Sequence, residues 1–357
     1  MPDNSVNGIT EKRKGEHVDI VLNKPVNSTS NYWDDVTMVH NSLPEIDFGS
    51  ISTETEFLGR KIGAPIVISG MTGGFAKAKD INRNLAEAAS ALQIPMGVGS
   101  QRAALENPEL AGTYSVVSDY DIPLTIANIG APQLIGQKGK RAYRVDDATK
   151  AMEMIDADVL AIHMNYLQEV VQPEGDRNAN GVVEAISSIA GKMPVMAKET
   201  GAGVSRKTAL MLKKAGVKAI DVGGLGGTSW SAVEYHRARS RGNGLGERLG
   251  KTFWNWGIPT PVSVTKANVG LPVVASGGIR NGLDAAKAIC LGASCAGLAG
   301  ALIRSASESS LAVKSELMGI IEELRVAMFL TGSQNVRDLS KKKCIISGMT
   351  GVWIGVD

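Results

Sequence analysis

One pattern constrains the fold of this chain more than any other. Short apolar runs alternate eight times with helix-forming stretches, and almost every run ends in a burst of glycine and polar residues. The runs are 64–69, 94–98, 123–127, Val159–Met164, 194–197, 219–222, 272–275 and Cys295–Leu298. Helical spacing follows at 77–92, 107–117, 145–155, 181–190, 205–215, 261–268, 283–291 and 301–330, the last with one expected break. Strands that read as continuous apolar runs and are separated by helices belong to a parallel sheet covered on both faces. Eight such units predict an α/β protein whose sheet closes into a (β/α)8 TIM barrel. No GxGxxG follows the first run, which argues against an open doubly wound sheet. At 357 residues and 43% hydrophobic, the chain fits a barrel with insertions, typically ~250 and sometimes over ~400 residues. The expected division is an arm and lead-in over 1–60, the barrel over 61–335 and a capping segment over 336–357.

Outside the eight units the expectations are simpler. Residues 1–10 read as mobile, and 11–23 as either a solvated helix start or a basic arm that closes over an anion. Residues 31–51 form a lead-in, 53–60 a short edge hairpin strand, and 230–259 a long loop after strand six. Trp230, Trp254 and Trp256 in that loop suggest a small satellite core, an active-site wall or a subunit contact. The segment SGMTG at 347–351 repeats 69–73 letter for letter and reads as a coincidence within the cap.

In a barrel all strand ends face one mouth. That rule brings together Thr72, Ser100, Arg102, Asn128, His163, Asn165, Lys198, Thr228, Ser276 and Arg280. The stretch 158–169, DVLAIHMNYLQE, shows the logic best. Its buried strand ends in His163, Asn165, Gln168 and Glu169, groups with no place in a dry core. His163 and Asn165 share a strand face, and Gln168 and Glu169 are expected in the loop. Such a set suits an oxygen-rich, multiply charged ligand with a divalent metal; a satisfied core histidine beside a surface loop is the plain alternative. SGGIR after strand seven and LAG after strand eight stand where barrels bind phosphate. Gly277, Gly278, Ala299 and Gly300 are the candidate N–H donors, with tight turns alone as the alternative. Lys198 at the end of strand five must find a negative partner. The N1–C2=O edge of a reduced flavin would serve, and a Schiff-base lysine is the rival.

Composition excludes rather than identifies. A formal net charge of +2 demands neither nucleic acid nor a membrane surface. No apolar stretch is long enough to span a bilayer, and the opening residues lack the apolar run of a secretory signal. Cys290, Cys295 and Cys344 lack metal spacing, so no disulfide and a reducing cytoplasm are expected.

The motifs together resemble the type 2, flavin-dependent isopentenyl diphosphate isomerases over nearly the whole chain. The carriers are RKGEH at 13–17, SGMTGG at 69–74, GSQR at 99–102, HMNYLQE at 163–169, KETG from Lys198, GGTSW at 226–230 and SGGIR at 276–280. Met164 and Tyr166 stand where that family usually has Leu and Pro, a departure in spacer residues. The resemblance implies a double-bond shift from isopentenyl to dimethylallyl diphosphate, with reduced FMN handling the proton through N5, Mg²⁺ on the diphosphate and NADPH as reductant. It also implies site roles. Met71, Thr72, Gly73, Ser100, Asn128 and Lys198 would surround the flavin ring and ribityl chain. Thr228, Gly277, Gly278, Arg280, Ala299 and Gly300 would hold its phosphate. Arg13, Lys14, Arg102, His163 and Asn165 would hold the diphosphate, and Glu169 the metal. Gln168 would lie near the reacting carbons, and it joins Lys198 and His163 as the candidate catalytic groups. A cytoplasmic homotetramer or homo-octamer is implied as well. Two rival functions are a flavin-barrel oxidoreductase of the 2-hydroxy-acid oxidase type and a flavin-binding sensor without turnover. The oxidase needs a base that SGGIR does not provide, and a purine-nucleotide dehydrogenase needs a cysteine that 223–259 lacks.

Overall fold

The computed structural model describes residues 6–356. Eight parallel strands close a barrel: β1 (Ile66–Ile68), β2 (Met96–Gly97), β3 (Thr125–Gly130), β4 (Val159–Met164), β5 (Val195–Glu199), β6 (Ala219–Asp221), β7 (Val273–Ser276) and β8 (Cys295–Leu298). They neighbour one another in chain order, and β8 returns to β1 through Ala296↔Ile66. The (β/α)8 expectation holds, and the bounds of β4 and β8 match their apolar runs.

The surrounding helices form for local reasons. Ala78–Leu92 turns Ile81, Leu85, Ala88 and Ala89 inward at helical spacing. Ser205 caps Arg206–Lys214, its Oγ accepting from the Thr208 N–H at 3.1 Å. The last helical stretch breaks at Ser309, whose Oγ caps Ser310–Leu330 by accepting from Ala312 N at 3.1 Å. The edge strand is a hairpin, Thr55–Phe57 against Arg60–Ile62, turned through Leu58 and Gly59, both at positive φ. Phe57 and Ile62 pack on Val67, Leu124, Ile126, Val159 and Met196. The hairpin thereby stoppers the barrel at the end opposite the strand termini.

Five expectations need correction. Helix α1 spans Val6–Asn23, so residues from Val6 onward join a helix; the remainder of 1–10, residues 1–5, lie outside the described residues. Residues 107–117 are no single helix. The chain bends there through Pro108–Leu110 and Gly112–Ser115, with Arg102–Glu106 helical before them. Gln168 and Glu169 stand on the short helix α2 (Tyr166–Val171) and not in a loop. The long loop after strand six contains α3 (Trp230–Ser240) and α4 (Gly244–Thr252). Finally, Cys290 and Cys344 form a disulfide, their Cα atoms 6.5 Å apart across 54 positions of sequence. It ties the helix Gly282–Cys290 to the tail strand Cys344–Ile346, which pairs antiparallel with Val36–Met38. Such a pairing needs the fold and cannot be read from spacing.

A satellite core is present. Trp230 and Trp254 pack with Ile20, Val21, Val26, Ala232 and Val233, while Trp256 is exposed. The tail repeat starts the helix Gly348–Ile354, where Asp35 Oδ2 accepts from Thr350 N at 3.0 Å. No helix among the described residues is long and apolar enough to cross a membrane.

Candidate active site

The strand ends surround one cavity of about 500 Å³. Every residue nominated above for cofactor, substrate, metal or catalysis lines it, and α1 lies across its mouth. The arm is fastened on two sides. Toward α3, His17 Nε2 bonds Glu234 Oε1 at 3.0 Å, and Glu16 accepts from Arg237 at 3.2 Å and from Arg241 at 2.7 Å. Toward the strand-two loop, Lys14 Nζ donates to Tyr114 Oη at 2.7 Å and to the Ser100 carbonyl. The arm reading is therefore the one the structure supports over a solvated helix start.

Cations dominate this half of the cavity. Arg102 is nearly buried and donates to Glu106 at 2.8 Å and Asp176 at 2.6 Å. Arg13 makes no hydrogen bond among the described residues, and burial with the neighbouring Arg102 lowers its pKa. Burial, then Arg13 and Arg102, bring the Lys14 ammonium down to about 7. Arg13 and Lys14, neither of them bonded to a carboxylate, beside Arg102 mark a place for a polyanion. A measurable consequence follows from the sign of the Lys14 shift. Its folded pKa lies below the ordinary 10.5, so between pH 7 and 10.5 the folded chain holds fewer protons and its stability rises with pH. A diphosphate bound beside Lys14 would restore the charge. Calorimetric titration of the substrate at pH 8–9 in buffers of differing ionisation enthalpy is expected to show uptake of about one proton, absent in Lys14→Met.

Around β4 the groups hold one another in place. His163 Nδ1 donates to Asn128 Oδ1 at 2.7 Å, which fixes the neutral ring in the Nδ1–H tautomer. Burial, then Lys198 and Lys14, depress the His163 pKa to about 3, so the imidazole is neutral. Asn128 donates through Nδ2 to the Val98 carbonyl at 3.0 Å, so its amide is held in place at the cavity wall while it orients His163. Asn165 Nδ2 donates to Gln168 Oε1 at 3.1 Å and Glu169 Oε1 at 3.0 Å. Glu169 Oε2 accepts from Gln172 at 2.6 Å and from Asp176 N at 2.7 Å. Two buried amide oxygens beside this carboxylate, Asn165 Oδ1 and Gln172 Oε1, have no partner. A carboxylate with spare oxygen ligands suits a hard divalent cation. Among the described residues no cluster of three acidic, His or Cys side chains forms a cation cage.

Three important partners were missed from sequence. Lys198 Nζ donates to Asp221 Oδ2 at 2.7 Å on the adjacent strand β6, and Asp221 also accepts from Ser276 Oγ of β7. The sign was an acidic residue ending an apolar run. Glu234 on α3 accepts from Gln168 Nε2 at 3.2 Å and from Arg237 at 2.5 Å. Although burial opposes ionisation, the bonds from His17 and the charge of Arg237 bring Glu234 down to about 2. Glu199 lies beside Lys198 and accepts from the N–H groups of Gly201, Ala202 and Gly203 at 2.7, 2.5 and 3.0 Å. It orders the strand-five loop, and burial raises its carboxyl to about 7.

Across the cavity the glycine loops after β6 and β7 interlock. A Cβ on Gly278, at φ +78, would stand 2.7 Å from the Gly226 backbone, and one on Gly227 would stand 2.7 Å from Gly278 N. The N–H groups of Gly278 and Gly300 have no hydrogen-bond partner among the described residues, and both residues line the cavity. Arg280 stands at the rim and donates to the Gly226 carbonyl at 3.3 Å. Bare N–H groups on a cradle with no space for side chains fit a phosphate.

Comparison with known proteins agrees with this geometry. Residues 192–346 match the family model described as FMN-dependent dehydrogenase. The chain is 51% identical to the isopentenyl-diphosphate delta-isomerase of Thermoplasma volcanium, covering 97% of this chain and 99% of the relative. The chain belongs to the isopentenyl-diphosphate delta-isomerase family. The Picrophilus torridus member is 48% identical over 97% of this chain and 99% of its own. The Thermoplasma acidophilum member is 48% identical over 96% and 98%. Crystal structures of mandelate oxidase, one with (S)-2-phenylpropionate, superpose with a TM-score of 0.60 at 18% identity, covering 95% of this chain and 97% of theirs. That likeness is one of fold.

Proposed function

We propose that this chain converts isopentenyl diphosphate to dimethylallyl diphosphate on an FMN-containing barrel. The observation that carries the reading is the joining, in one cavity, of a glycine phosphate cradle with a separate cluster of Arg13, Lys14 and Arg102. Two anion sites, one on each side of a buried lysine, suit a phosphorylated cofactor and a diphosphate substrate at once. The reaction shifts a double bond without net redox, so one carbon gains a proton and another loses one. Reduced FMN, when bound, supplies the proton-exchanging ring atom.

The chain's own residues do the rest. Arg13, Lys14 and Arg102 bind the diphosphate, with His163 and Asn165 beside it. These remote contacts hold the allylic carbons in position. Lys198, fixed by Asp221, presents its ammonium to the flavin edge bounded by Met71, Thr72, Gly73 and Ser100. Gly277, Gly278, Ala299, Gly300, Thr228 and Arg280 form the phosphate end. Gln168, held between Asn165 and Glu234, faces the reacting carbons. Glu169 takes Mg²⁺, and α1 shields the mouth of the cavity from water. The reading extends to NADPH as the source of reducing equivalents, which the flavin needs to become reduced although the isomerisation itself consumes none. A cytoplasmic homotetramer or homo-octamer, divided into arm, barrel and cap at 1–60, 61–335 and 336–357, belongs to the same proposal. The need for soluble nucleotide cofactors supports the location alone, and the Cys290–Cys344 bond counts against it.

The test is anaerobic turnover of isopentenyl diphosphate with FMN and Mg²⁺, with NADPH or dithionite present or omitted. Dimethylallyl diphosphate is expected only with reductant. Tight flavin binding without product, together with oxidation of 2-hydroxy acids, sinks the proposal. In the same assay Glu169→Gln is expected to raise the Mg²⁺ concentration for half-activity; an unchanged metal response removes Glu169 from that role.

A further inference from the structure

The FMN phosphate cradle is supported from behind by a residue outside the barrel. Trp33 stands in a 3-10 turn, Tyr32–Asp35, in the lead-in between arm and barrel. It is fully buried and does not line the cavity. Its indole Nε1–H donates to the Gly277 carbonyl at 3.1 Å. Lys287 Nζ, on the helix that follows the cradle, donates to the Trp33 carbonyl at 2.8 Å.

Geometry makes that one bond consequential. The Gly277 carbonyl and the Gly278 N–H belong to the same planar trans peptide and point in opposite directions. Gly277 at φ +112 and Gly278 at φ +78 have no Cβ to limit rotation of that plane. With the carbonyl held outward by the indole, the Gly278 N–H is aimed into the cavity. We infer that Trp33 is a positioning residue for the cofactor phosphate, acting through the Gly277–Gly278 peptide. This rests on the FMN reading and adds to it a residue that never touches the cofactor.

The lead-in can hold its position because the tail grips it. Ser347 N donates to the Asp35 carbonyl at 2.9 Å, Val36–Met38 pairs with Cys344–Ile346, and the disulfide fixes Cys344 to the helix carrying Lys287. The indole is thus held from its backbone on both sides.

The experiment compares FMN with riboflavin, which lacks the phosphate, by flavin-fluorescence titration of apoprotein. In Trp33→Phe the ring remains and the donor is lost. The affinity for FMN is expected to fall about tenfold, the scale of one buried hydrogen bond, with riboflavin affinity unchanged. A general loosening of the fold would weaken both ligands alike, so equal losses overturn the inference, as does an unaltered preference. If Trp33→Phe does not yield folded protein, Lys287→Met, which frees the Trp33 carbonyl, is read in the same way. A wild-type protein that binds FMN and riboflavin equally removes the phosphate cradle itself. A wild-type preference that Trp33→Phe keeps removes only the role of Trp33.

Discussion

Lys198→Met is expected to damage the protein twice, and the two losses are separable. The substitution leaves Asp221, a carboxylate only 1% exposed, without its cation. Breaking a buried pair by removing one partner costs about 3–5 kcal/mol because the other charge stays behind. Ser276 and the Gly223 N–H still donate to Asp221, which places the expected loss at the lower end. The double variant Lys198→Met/Asp221→Asn is expected to regain most of that stability in chemical denaturation. Activity is expected to fall about 10²–10³-fold in both, because the ammonium facing the flavin edge is absent from both. Activity that returns together with stability would make Lys198 a structural residue alone. If the single variant shows no stability loss, the buried pair contributes little and Asp221 loses its assigned role.

The second large effect is expected at Arg237, which no motif singles out. Its guanidinium is 3% exposed and bonds Glu234 at 2.5 Å, Glu174 at 2.8 Å and Glu16 at 3.2 Å. Arg237→Met leaves the buried Glu234 without a permanent cation, held by His17 and Gln168 alone, and removes one of the two guanidinium groups that hold Glu16 on α1. Stability is expected to fall by about 3–5 kcal/mol. The arm that carries Arg13 and Lys14 then rests over the cavity less firmly, on Arg241, Glu234 and Tyr114. The KM for the diphosphate is expected to rise about 10- to 100-fold, the equivalent of one charged hydrogen bond. Because Glu234 also accepts from Gln168, a decline in kcat accompanies it. Arg237→Lys keeps the charge but not the three-way reach and is expected to be intermediate. A KM unchanged in Arg237→Met would show that the arm closes without this anchor.

The barrel could be read from sequence because its strands are apolar runs bounded by glycine. Val159–Met164 and Cys295–Leu298 needed no adjustment. Helices α2 and α3 escaped for a physical reason. The face that α3 buries carries Ser231, Glu234 and Arg237 as well as Ala232 and Val233. A helix that buries charge against an active site has no apolar stripe, and periodicity is blind to it. The same holds for α2, whose buried residues include Gln168 and Glu169. Site residues at strand ends were legible because the barrel topology points them to one mouth. Their partners were not, since the Lys198–Asp221 register and the Asn128–His163 bond exist only once strands are adjacent. The Cys290–Cys344 bond is of this kind too. The arm was legible as a choice between two readings, and only its ties to Glu234, Arg237 and Tyr114 decide it.

The interlocked glycine loops after β6 and β7 also have an evolutionary consequence. A methyl group on Gly277 or Gly278 runs into the strand-six loop, and one on Gly227 runs into the strand-seven loop. Neither loop can acquire a side chain at these positions while the other stays as it is. The pair is therefore inherited as a unit, closed to stepwise change. Variation in what the mouth binds must enter from α1, α2 and α3, which face the cavity from the other side. A lineage of such barrels would keep one grip on its cofactor and diversify by exchanging the helices opposite it.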